Sequence, residues 1–265
     1  MAHRLASGCG SPTLGHARRR HRRQPRHRPR HRPRPPPGGR LRRRDRAEGD
    51  AGHGGRRARR RLPARRGRPR GEDGILAAAA QLDGPVDLLV NNVGSAPPRP
   101  GGFPSITDEQ WTGTYALNAL AAVRTTRALF DRIPDGGSVV NIVSENAILA
   151  DPLVMDYSAA KAALLSFTKS LSKELGPRGI RVNSISPGPV ATDLWLGDGG
   201  VARTVAAATG GDPDAVKHGA EASMPTGRFT TPDEVAALTV MLASPLLGNL
   251  TGSDVVIDGG LRQTM

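Results

Sequence analysis

Short apolar runs alternate with stretches of helical periodicity from residue 72 onward. Helical spacing covers residues 72–82, 108–130 (with Thr107 as a plausible N-cap) and a segment from about Met155 to a stop signal at Gly176-Pro177. Thr231–Glu234 combines a capping box with a proline at the first helical position, and it opens a helix to about Ala243. Four apolar runs are typical of buried strands, namely 86–91, 138–143, 180–185 and 254–257. Because these runs show little polar alternation, the pattern predicts a parallel sheet covered by helices on both faces.

The first 70 residues differ in composition from the rest of the chain. They contain 25 Arg, no Lys and three acidic residues, and they lack Val, Ile, Phe, Tyr and Trp. Without these large β-branched and aromatic apolar side chains, such a segment buries too little apolar surface to offset the entropy of ordering. We therefore predict a disordered Arg/Pro/Gly/His-rich segment over residues 1–71 and a folded domain over residues 72–265.

The net charge of +14 follows the same division. Residues 1–70 carry +22, and the remainder of the chain carries −8. An arginine-rich coil attracts phosphates, but this one has no aromatic side chain to stack on bases, so a nucleic-acid partner is not expected. The segment loosely resembles a mitochondrial transit peptide, although its many prolines and glycines oppose the amphipathic helix that such a peptide needs.

The cysteine count and the length of the apolar runs bear on disulfide-rich and membrane-spanning proteins. The single cysteine, Cys9, rules out a disulfide framework and fits a reducing compartment, from which we expect a cytoplasmic location. No run of 18 apolar residues is present, so we expect no membrane segment. We expect no metal site either.

Tyr157 and Lys161 are the first candidates for chemistry. They are four residues apart on one predicted helix, so their side chains share a face, and Ser144 directly follows the preceding predicted strand. A neighbouring ammonium favours the phenolate, and moving the pKa of a tyrosine from 10 to 7 takes roughly 4 kcal/mol. The pair alone also fits a snorkelling lysine beside a half-buried ring. Chemistry gathers at the carboxyl ends of parallel strands, and that is where further notable residues fall.

Five motifs in order resemble those of the short-chain dehydrogenase/reductase family, over about residues 72–265. Asn91-Asn92-Val93-Gly94 is similar to the family's N-N-A-G, with Val93 for the usual Ala. Pro187 to Thr192 is similar to its P-G-x-V/I-x-T segment, and Thr251-Gly252 with Ile257 to Gly260 resembles its last strand. The family's Asn-Ser-Tyr-Lys tetrad has its counterparts at Asn118, Ser144, Tyr157 and Lys161.

The resemblance implies hydride transfer between NAD or NADP and a small alcohol or ketone substrate. Tyr157 would be the general acid and base, and Lys161 would lower its pKa and hold the nicotinamide ribose. Ser144 would hydrogen-bond the substrate oxygen, and Asn118 would position a water in the proton relay, although it could also be a buried helix-to-backbone contact. The cofactor would be lined by Asn92, Gly94, Tyr157, Lys161, Pro187, Gly188, Val190 and Thr192, of which Gly94 and Gly188 could equally be plain turn glycines.

Two further expectations concern the substrate side. Glu145 and Asn146 depart from the small residues common after the family's serine, and they either shape the substrate pocket or face solvent. Residues 193–228 are expected to form a mobile substrate lid in which Leu194 and Trp195 are the main bulky groups. By resemblance alone, we expect a homo-oligomer.

One family motif is missing from the chain. The family begins with a strand, T-G-x-x-x-G-x-G and a helix, whose backbone amides receive the cofactor pyrophosphate. The codons for residues 21–28, read one base later, can instead encode T-G-G-S-R-G-I-G. We therefore hypothesise that residues from about 15 to 71 are an out-of-frame translation of the cofactor-binding half. Stop codons in the shifted frame of the coding DNA, or the lack of a glycine motif there, would refute this idea.

The predicted fold is thus a Rossmann-like, doubly wound parallel sheet lacking its first strands in the chain as given. Such a sheet exposes an apolar edge, so we expect the literal chain to be poorly soluble or partly folded and to bind cofactor weakly. The alternative is a non-catalytic remnant of this fold with a genuine basic tail that binds nucleic acid. A purely structural protein would leave the ordered Asn-Ser-Tyr-Lys set without an explanation.

Overall fold

The computed structural model describes residues 84–263 and, before them, residues 74, 77, 78, 81 and 82. Within this part, four parallel strands form one sheet in the order β1-β2-β3-β4. This confirms the parallel sheet. The strands lie at or inside the predicted runs, with β3 two residues longer at its end: β1 is Leu88–Asn91, β2 is Ser138–Ile142, β3 is Arg181–Pro187 and β4 is Asp254–Ile257.

Seven α-helices connect or follow these strands in the described part of the chain. Short 3-10 turns extend several of them, among them Phe130–Arg132, Glu145–Ala147, Pro152–Val154 and Gly176–Arg178. None of the described helices is long and apolar enough to cross a membrane. The helices are α1 (Asp108–Tyr115), α2 (Ala121–Ala128), α3 (Met155–Leu175), α4 (Asp193–Leu196), α5 (Val201–Thr209), α6 (Pro213–Ala222) and α7 (Pro232–Ala243).

Helices cover both faces of the sheet, as the lack of polar alternation predicted. On one face, Val139 and Val182 pack in a core cluster with Leu171 and Leu175 of α3. On the other face, Val140 and Ile185 pack against Leu242 of α7. Neighbouring positions along β2 thus belong to opposite cores, because successive side chains of a strand point to opposite faces.

A chain of polar side chains crosses the α3 face of the sheet between these apolar contacts. Asn91 and Asn141 are direct partners in the β1–β2 register, and the Asn91 amide donates to the Asn141 Oδ1 at 2.8 Å. Asn91 also donates to the Thr126 hydroxyl, and the Asn141 amide donates to the Thr168 hydroxyl. These bonds link β1 and β2 to α2 and α3, so each buried amide has a partner.

The predicted helix over residues 108–130 is interrupted. It begins at the expected place, where Thr107 and Gln110 form a capping box. However, Ala116–Leu120 is a π-helical turn that separates α1 from α2. The amide of Asn118 donates to the carbonyl of Thr114, four residues earlier, and this side-chain competition for a backbone acceptor accompanies the loss of the regular α-helical ladder.

Several predictions fall on residues that lie outside the described ones. Of the helix predicted over 72–82, residues 74, 77 and 78 are helical, whereas residue 81 lies in a turn and residue 82 has no regular structure. The predicted disordered segment 1–71, its boundary with the folded domain, the missing first strands and the out-of-frame hypothesis all lie outside the described residues.

Candidate active site

The carboxyl ends of β1, β2 and β3 open into one cavity of about 510 Å³. Every predicted cofactor-binding residue lines it, as does Ser144, while Asn118 lies behind Gly94. A Cβ built at Gly94 would lie 2.8 Å from Oδ1 of Asn118 and 3.4 Å from Nζ of Lys161. The structure therefore brings all the predicted site residues together. Because Asn118 and Lys161 approach Gly94 so closely, this glycine is needed for packing as well as for the turn. The lining residues from that prediction are Asn92, Gly94, Tyr157, Lys161, Pro187, Gly188, Val190 and Thr192.

Tyr157 and Lys161 lie near the start of α3, on its cavity side. The Lys161 ammonium is 5.7 Å from the centre of the Tyr157 ring, and it donates to the carbonyl of Ile142 at 2.8 Å. Burial lowers the pKa of Lys161 to about 8. The carbonyl of Ile142 thus holds the Lys161 ammonium at the end of β2. A lysine that only snorkels beside a ring would not need this bond.

The tyrosine has a raised pKa, in contrast to the lowered one that the neighbouring lysine led us to expect. Burial raises the pKa of Tyr157, hydrogen bonding with Ser144 opposes the rise, and the charge of Glu145 adds to it. At neutral pH the described residues alone therefore favour a protonated phenol, which is the proton-donating form.

Ser144 is placed by the end of β2. Its hydroxyl caps the short Glu145–Ala147 turn by accepting from the backbone N–H of Asn146 at 3.2 Å. A hydroxyl that accepts from the backbone still has its own proton to donate. Ser144 can therefore hydrogen-bond an oxygen in the cavity while remaining fixed.

Asn118 is bound to the loop that follows β1. Its Oδ1 accepts from the backbone N–H of Ser95 at 3.0 Å, and its amide donates to the carbonyl of Ser95 at 2.9 Å as well as to Thr114. Both amide protons are therefore committed to backbone carbonyls. The side chain makes the helix-to-backbone contact that the sequence left open, and it fixes the loop carrying Asn92 and Gly94.

The segment after β3 forms the wall opposite Ser144. The backbone N–H of Gly188 donates to Ile257 of β4, and a Cβ at this position would lie 2.9 Å from both the Asp258 backbone and Oε2 of Glu145. Val190 pairs with Thr230 in an isolated parallel bridge, and Thr192 precedes α4. Gly188 is thus required by close packing.

Residues 193–228 contribute the apolar side of the cavity. Leu194 and Trp195 line it, as predicted, together with Val201 and Val205 of α5 and Val216 of α6. The Trp195 ring packs edge-on against Phe229, with 5.1 Å between ring centres. The predicted lid thus consists of three helices that lie against the site, and its mobility stays a prediction.

The sequence reasoning missed a buried ion pair at the start of α3. Arg99 donates to Oδ2 of Asp156 through two nitrogens, the shorter contact being 2.7 Å, and Thr114 donates to the same oxygen. Asp156 is fully buried and precedes Tyr157, whose backbone N–H donates to its other oxygen. Burial alone would raise the pKa of Asp156, but the bonds from Arg99 and Thr114 hold it below its usual range.

Glu145 is buried in the site and does not face solvent. Its side chain lines the cavity, and in the described part of the chain its Oε2 has no hydrogen-bond partner. Burial raises the pKa of Glu145 to about 8, and the carboxylates of Asp258 and Asp151 add to the rise. Of the two possibilities left open by the sequence, Glu145 shapes the pocket.

The chemistry of this cavity fits a nicotinamide and its ribose. The Lys161 ammonium has three donors, of which one goes to Ile142, so it can bind ribose hydroxyls without losing its anchor. The two glycines leave open the space that a Cβ would fill. The described residues contain no group of three His, Cys, Asp or Glu side chains that could hold a metal ion.

Comparisons with known proteins identify relatives of this chain. Residues 72–262 match the profile of a family described as enoyl-(acyl carrier protein) reductase. D-threitol dehydrogenase from Mycolicibacterium smegmatis is 37% identical over 190 residues, which make up 69% of this chain and 65% of that relative. This chain therefore spans somewhat less than two thirds of the length of that relative.

Two solved structures share the fold over most of the described part. A short chain dehydrogenase family protein from Francisella tularensis superimposes with a TM-score of 0.67 at 27% identity, covering 72% of this chain and 77% of that one. A blue fluorescent protein from a metagenomic library, solved in complex with NADPH, has a TM-score of 0.62 at 29% identity and covers 72% of each chain.

Proposed function

The chain belongs to the short-chain dehydrogenase/reductase family, and on that premise we propose that it transfers hydride between NAD or NADP and a small alcohol or ketone, with Tyr157 as the general acid and base. The observation that carries the proposal is the convergence of Ser144, Tyr157 and Lys161 on one cavity at the carboxyl ends of the strands. The relative's name, D-threitol dehydrogenase, supports an alcohol as the reduced substrate.

In the reductive direction, Tyr157 donates its phenolic proton to the carbonyl oxygen as that oxygen gains negative charge. A nicotinamide cofactor bound in the cavity would supply the hydride for the carbonyl carbon. Ser144 donates a hydrogen bond to the same oxygen, and this bond strengthens as the charge develops. In the oxidative direction the phenolate takes the hydroxyl proton, and the oxidised nicotinamide would accept the hydride.

Lys161 supplies positive charge beside the tyrosine and binds the ribose hydroxyls. Since its pKa is lowered to about 8, it is mostly charged at neutral pH and favours the phenolate that oxidation requires. Asn118 holds the π-helical turn and the loop after β1, and its place in a water relay stays a prediction. A homo-oligomer and a cytoplasmic location are also proposed here, on the resemblance and on the single cysteine.

We further propose that a protein with this sequence has impaired cofactor binding and activity, since it lacks the family's T-G-x-x-x-G-x-G motif for the pyrophosphate. The alternative function, a non-catalytic remnant with a nucleic-acid-binding tail, depends on residues outside the described part. The cavity does not favour this non-catalytic alternative, because Ser144, Tyr157 and Lys161 are all present in it.

The proposal is tested with Tyr157→Phe, which removes the hydroxyl and keeps the ring. Ketone reduction and alcohol oxidation are followed by nicotinamide absorbance, with millimolar cofactor to offset weak binding. We expect kcat/KM to fall about 10²- to 10⁴-fold, since general acid and base catalysis contributes this much. Oxidation by the wild type should accelerate with rising pH, because burial raises the pKa of the tyrosine that must ionise.

Tyr115 provides the matched control, since it is the chain's other tyrosine and lies at the end of α1, outside the cavity lining. Tyr115→Phe should retain the wild-type rate. Equal rates for the wild type and Tyr157→Phe would contradict the proposed role of Tyr157.

A further inference from the structure

Glu145 is one of two described residues that bury a side-chain oxygen without a hydrogen-bond partner. The other is Ser138, at the opposite end of β2 from the cavity. An unsatisfied polar atom in a protein interior is costly and calls for an explanation. Ser138 is a single hydroxyl at the start of a strand, whereas Glu145 is a carboxyl that lines the candidate active site next to Ser144.

Among the residues that the structure describes, no cation forms an ion pair with Glu145. Gly188 packs against Oε2, and the nearby charged groups are the carboxylates of Asp258 and Asp151. Asp258 already accepts from the backbone N–H groups of Gly260 and Arg262, at 2.9 and 2.8 Å. Lys161 directs its ammonium to Ile142. The protein therefore leaves the hydrogen-bonding capacity of Glu145 open.

A protonated carboxyl both donates and accepts, which is also what an alcohol hydroxyl does. Between its repelling neighbours, Glu145 holds its proton at neutral pH. Oε2 is enclosed beside Gly188 and Asp258, so the carboxyl meets a ligand in the cavity through its other oxygen. Leu194, Trp195 and Val205 line the same cavity and offer mainly apolar contact to the remainder of a ligand.

We propose that Glu145 is a specificity-determining residue whose carboxyl binds a second hydroxyl of the substrate, so that the enzyme prefers vicinal diols and hydroxy ketones over simple alcohols and ketones. This proposal rests on the oxidoreductase function above. Ser144 and Tyr157 bind the reacting oxygen, and Glu145, which follows Ser144 in the chain, lines the same cavity. A hydroxyl on the adjoining carbon of a diol gives the Glu145 carboxyl a hydrogen-bond partner, which a simple alcohol does not.

The test compares butane-2,3-diol with butan-2-ol as substrates, since they share a carbon skeleton and differ by one hydroxyl. We expect the wild type to favour the diol in kcat/KM by at least about tenfold, since a site built to bind a hydroxyl rejects an analogue that lacks it. Glu145→Met, which keeps the bulk and removes the polar atoms, should abolish this preference. Glu145→Gln, which still donates and accepts, should retain part of it.

Ser138→Ala is the matched control, because it removes the other unpartnered buried oxygen at a distance from the cavity. It should leave the preference for the diol intact. A preference that persists in Glu145→Met would overturn the proposal, and so would an equal loss with both substrates, which would indicate a merely structural wall.

A second measurement separates this proposal from the proposed function. Binding of the same two compounds is followed without turnover by ligand-observed NMR saturation transfer. If no variant oxidises any alcohol, the oxidoreductase function fails, yet diol binding weakened in Glu145→Met and retained in Glu145→Gln would still support the role of Glu145. Diol binding that is absent or insensitive to Glu145→Met would overturn it. Tighter binding of 3-aminobutan-2-ol than of the diol would also do so, in favour of a cation site.

Discussion

At the scale of single residues, the site combines short-range and long-range contacts. Tyr157 and Lys161 meet because four residues along any helix bring side chains to one face. Arg99 and Asp156 are 57 residues apart, and Glu145 packs against Gly188 and Asp258, which follow β3 and β4. These long-range contacts depend on how loops pack, so no spacing along the chain predicts them.

Glu145 also makes a prediction about the pH dependence of stability. Its pKa in the folded protein is raised to about 8, whereas in the unfolded chain it lies near the ordinary value of 4.5. Between these values the unfolded state binds fewer protons than the folded state, so this group makes the free energy of unfolding fall as the pH rises. The loss between pH 5 and pH 8 is on the order of 4 kcal/mol.

Urea unfolding at pH 5 and pH 8 tests this expectation by comparing the wild type with Glu145→Gln. The variant cannot titrate at this position, so its stability should decline less over that interval, and it should exceed the wild type most clearly at pH 8. If the free energy of unfolding depends on pH in the same way in both proteins, the inference that Glu145 is buried and protonated is contradicted.

At the scale of elements, strands and helix starts were predictable, and the interruption of a helix was not. The apolar runs beginning at Ser138 and Asp254 coincide with β2 and β4. The capping residues Thr107 and Thr231 mark the starts of α1 and α7 through local hydrogen bonds. The π-helical turn coincides with bonds from Asn118 to the carbonyls of Thr114 and of Ser95 in the loop after β1, and an apolar periodicity does not indicate such bonds.

The buried Arg99–Asp156 ion pair joins the loop after β1 to the start of α3, and breaking it should destabilise the fold. Asp156→Asn should lower the free energy of unfolding by about 3 kcal/mol, because it leaves the Arg99 charge without its carboxylate partner in a buried place. Since the pKa of Asp156 is held below its usual range, this contribution is present above about pH 4 and is lost as the pH falls further. Urea denaturation at neutral pH measures the difference.

Asp135→Asn is the matched control for this substitution. It breaks the Arg178–Asp135 pair, whose carboxylate is largely exposed, so the expected loss is below about 1 kcal/mol. Similar losses in the two variants would show that the Arg99–Asp156 pair does not anchor the start of α3 to the loop after β1.

At the scale of the whole molecule, the chain combines a recognisable site with a missing phosphate motif. The sheet of the described part begins at β1, which pairs with β2 along one edge. Cofactor binding in this family draws on backbone amides of a glycine motif that the sequence does not contain. We therefore expect the literal chain to bind NADH and NADPH weakly.

Isothermal titration of the full chain with both cofactors measures this affinity. Dissociation constants in the millimolar range are expected, and a micromolar constant would contradict the proposed impairment. The coding DNA provides an independent check, since the out-of-frame hypothesis requires a glycine motif and no stop codon in the shifted frame over residues 15–71.

The polar chain between β1 and β2 has a consequence for how the sheet assembles. Parallel strands pair late and slowly in folding, because their contacts are distant in sequence, and each pair can in principle slip along its neighbour. A slip of two residues would keep the apolar alternation but would separate Asn91 from Asn141, and it would leave buried amides unsatisfied. The two asparagines therefore favour the native register over a two-residue slip. In that register, the ends of β1 and β2 that build the cavity lie level with one another.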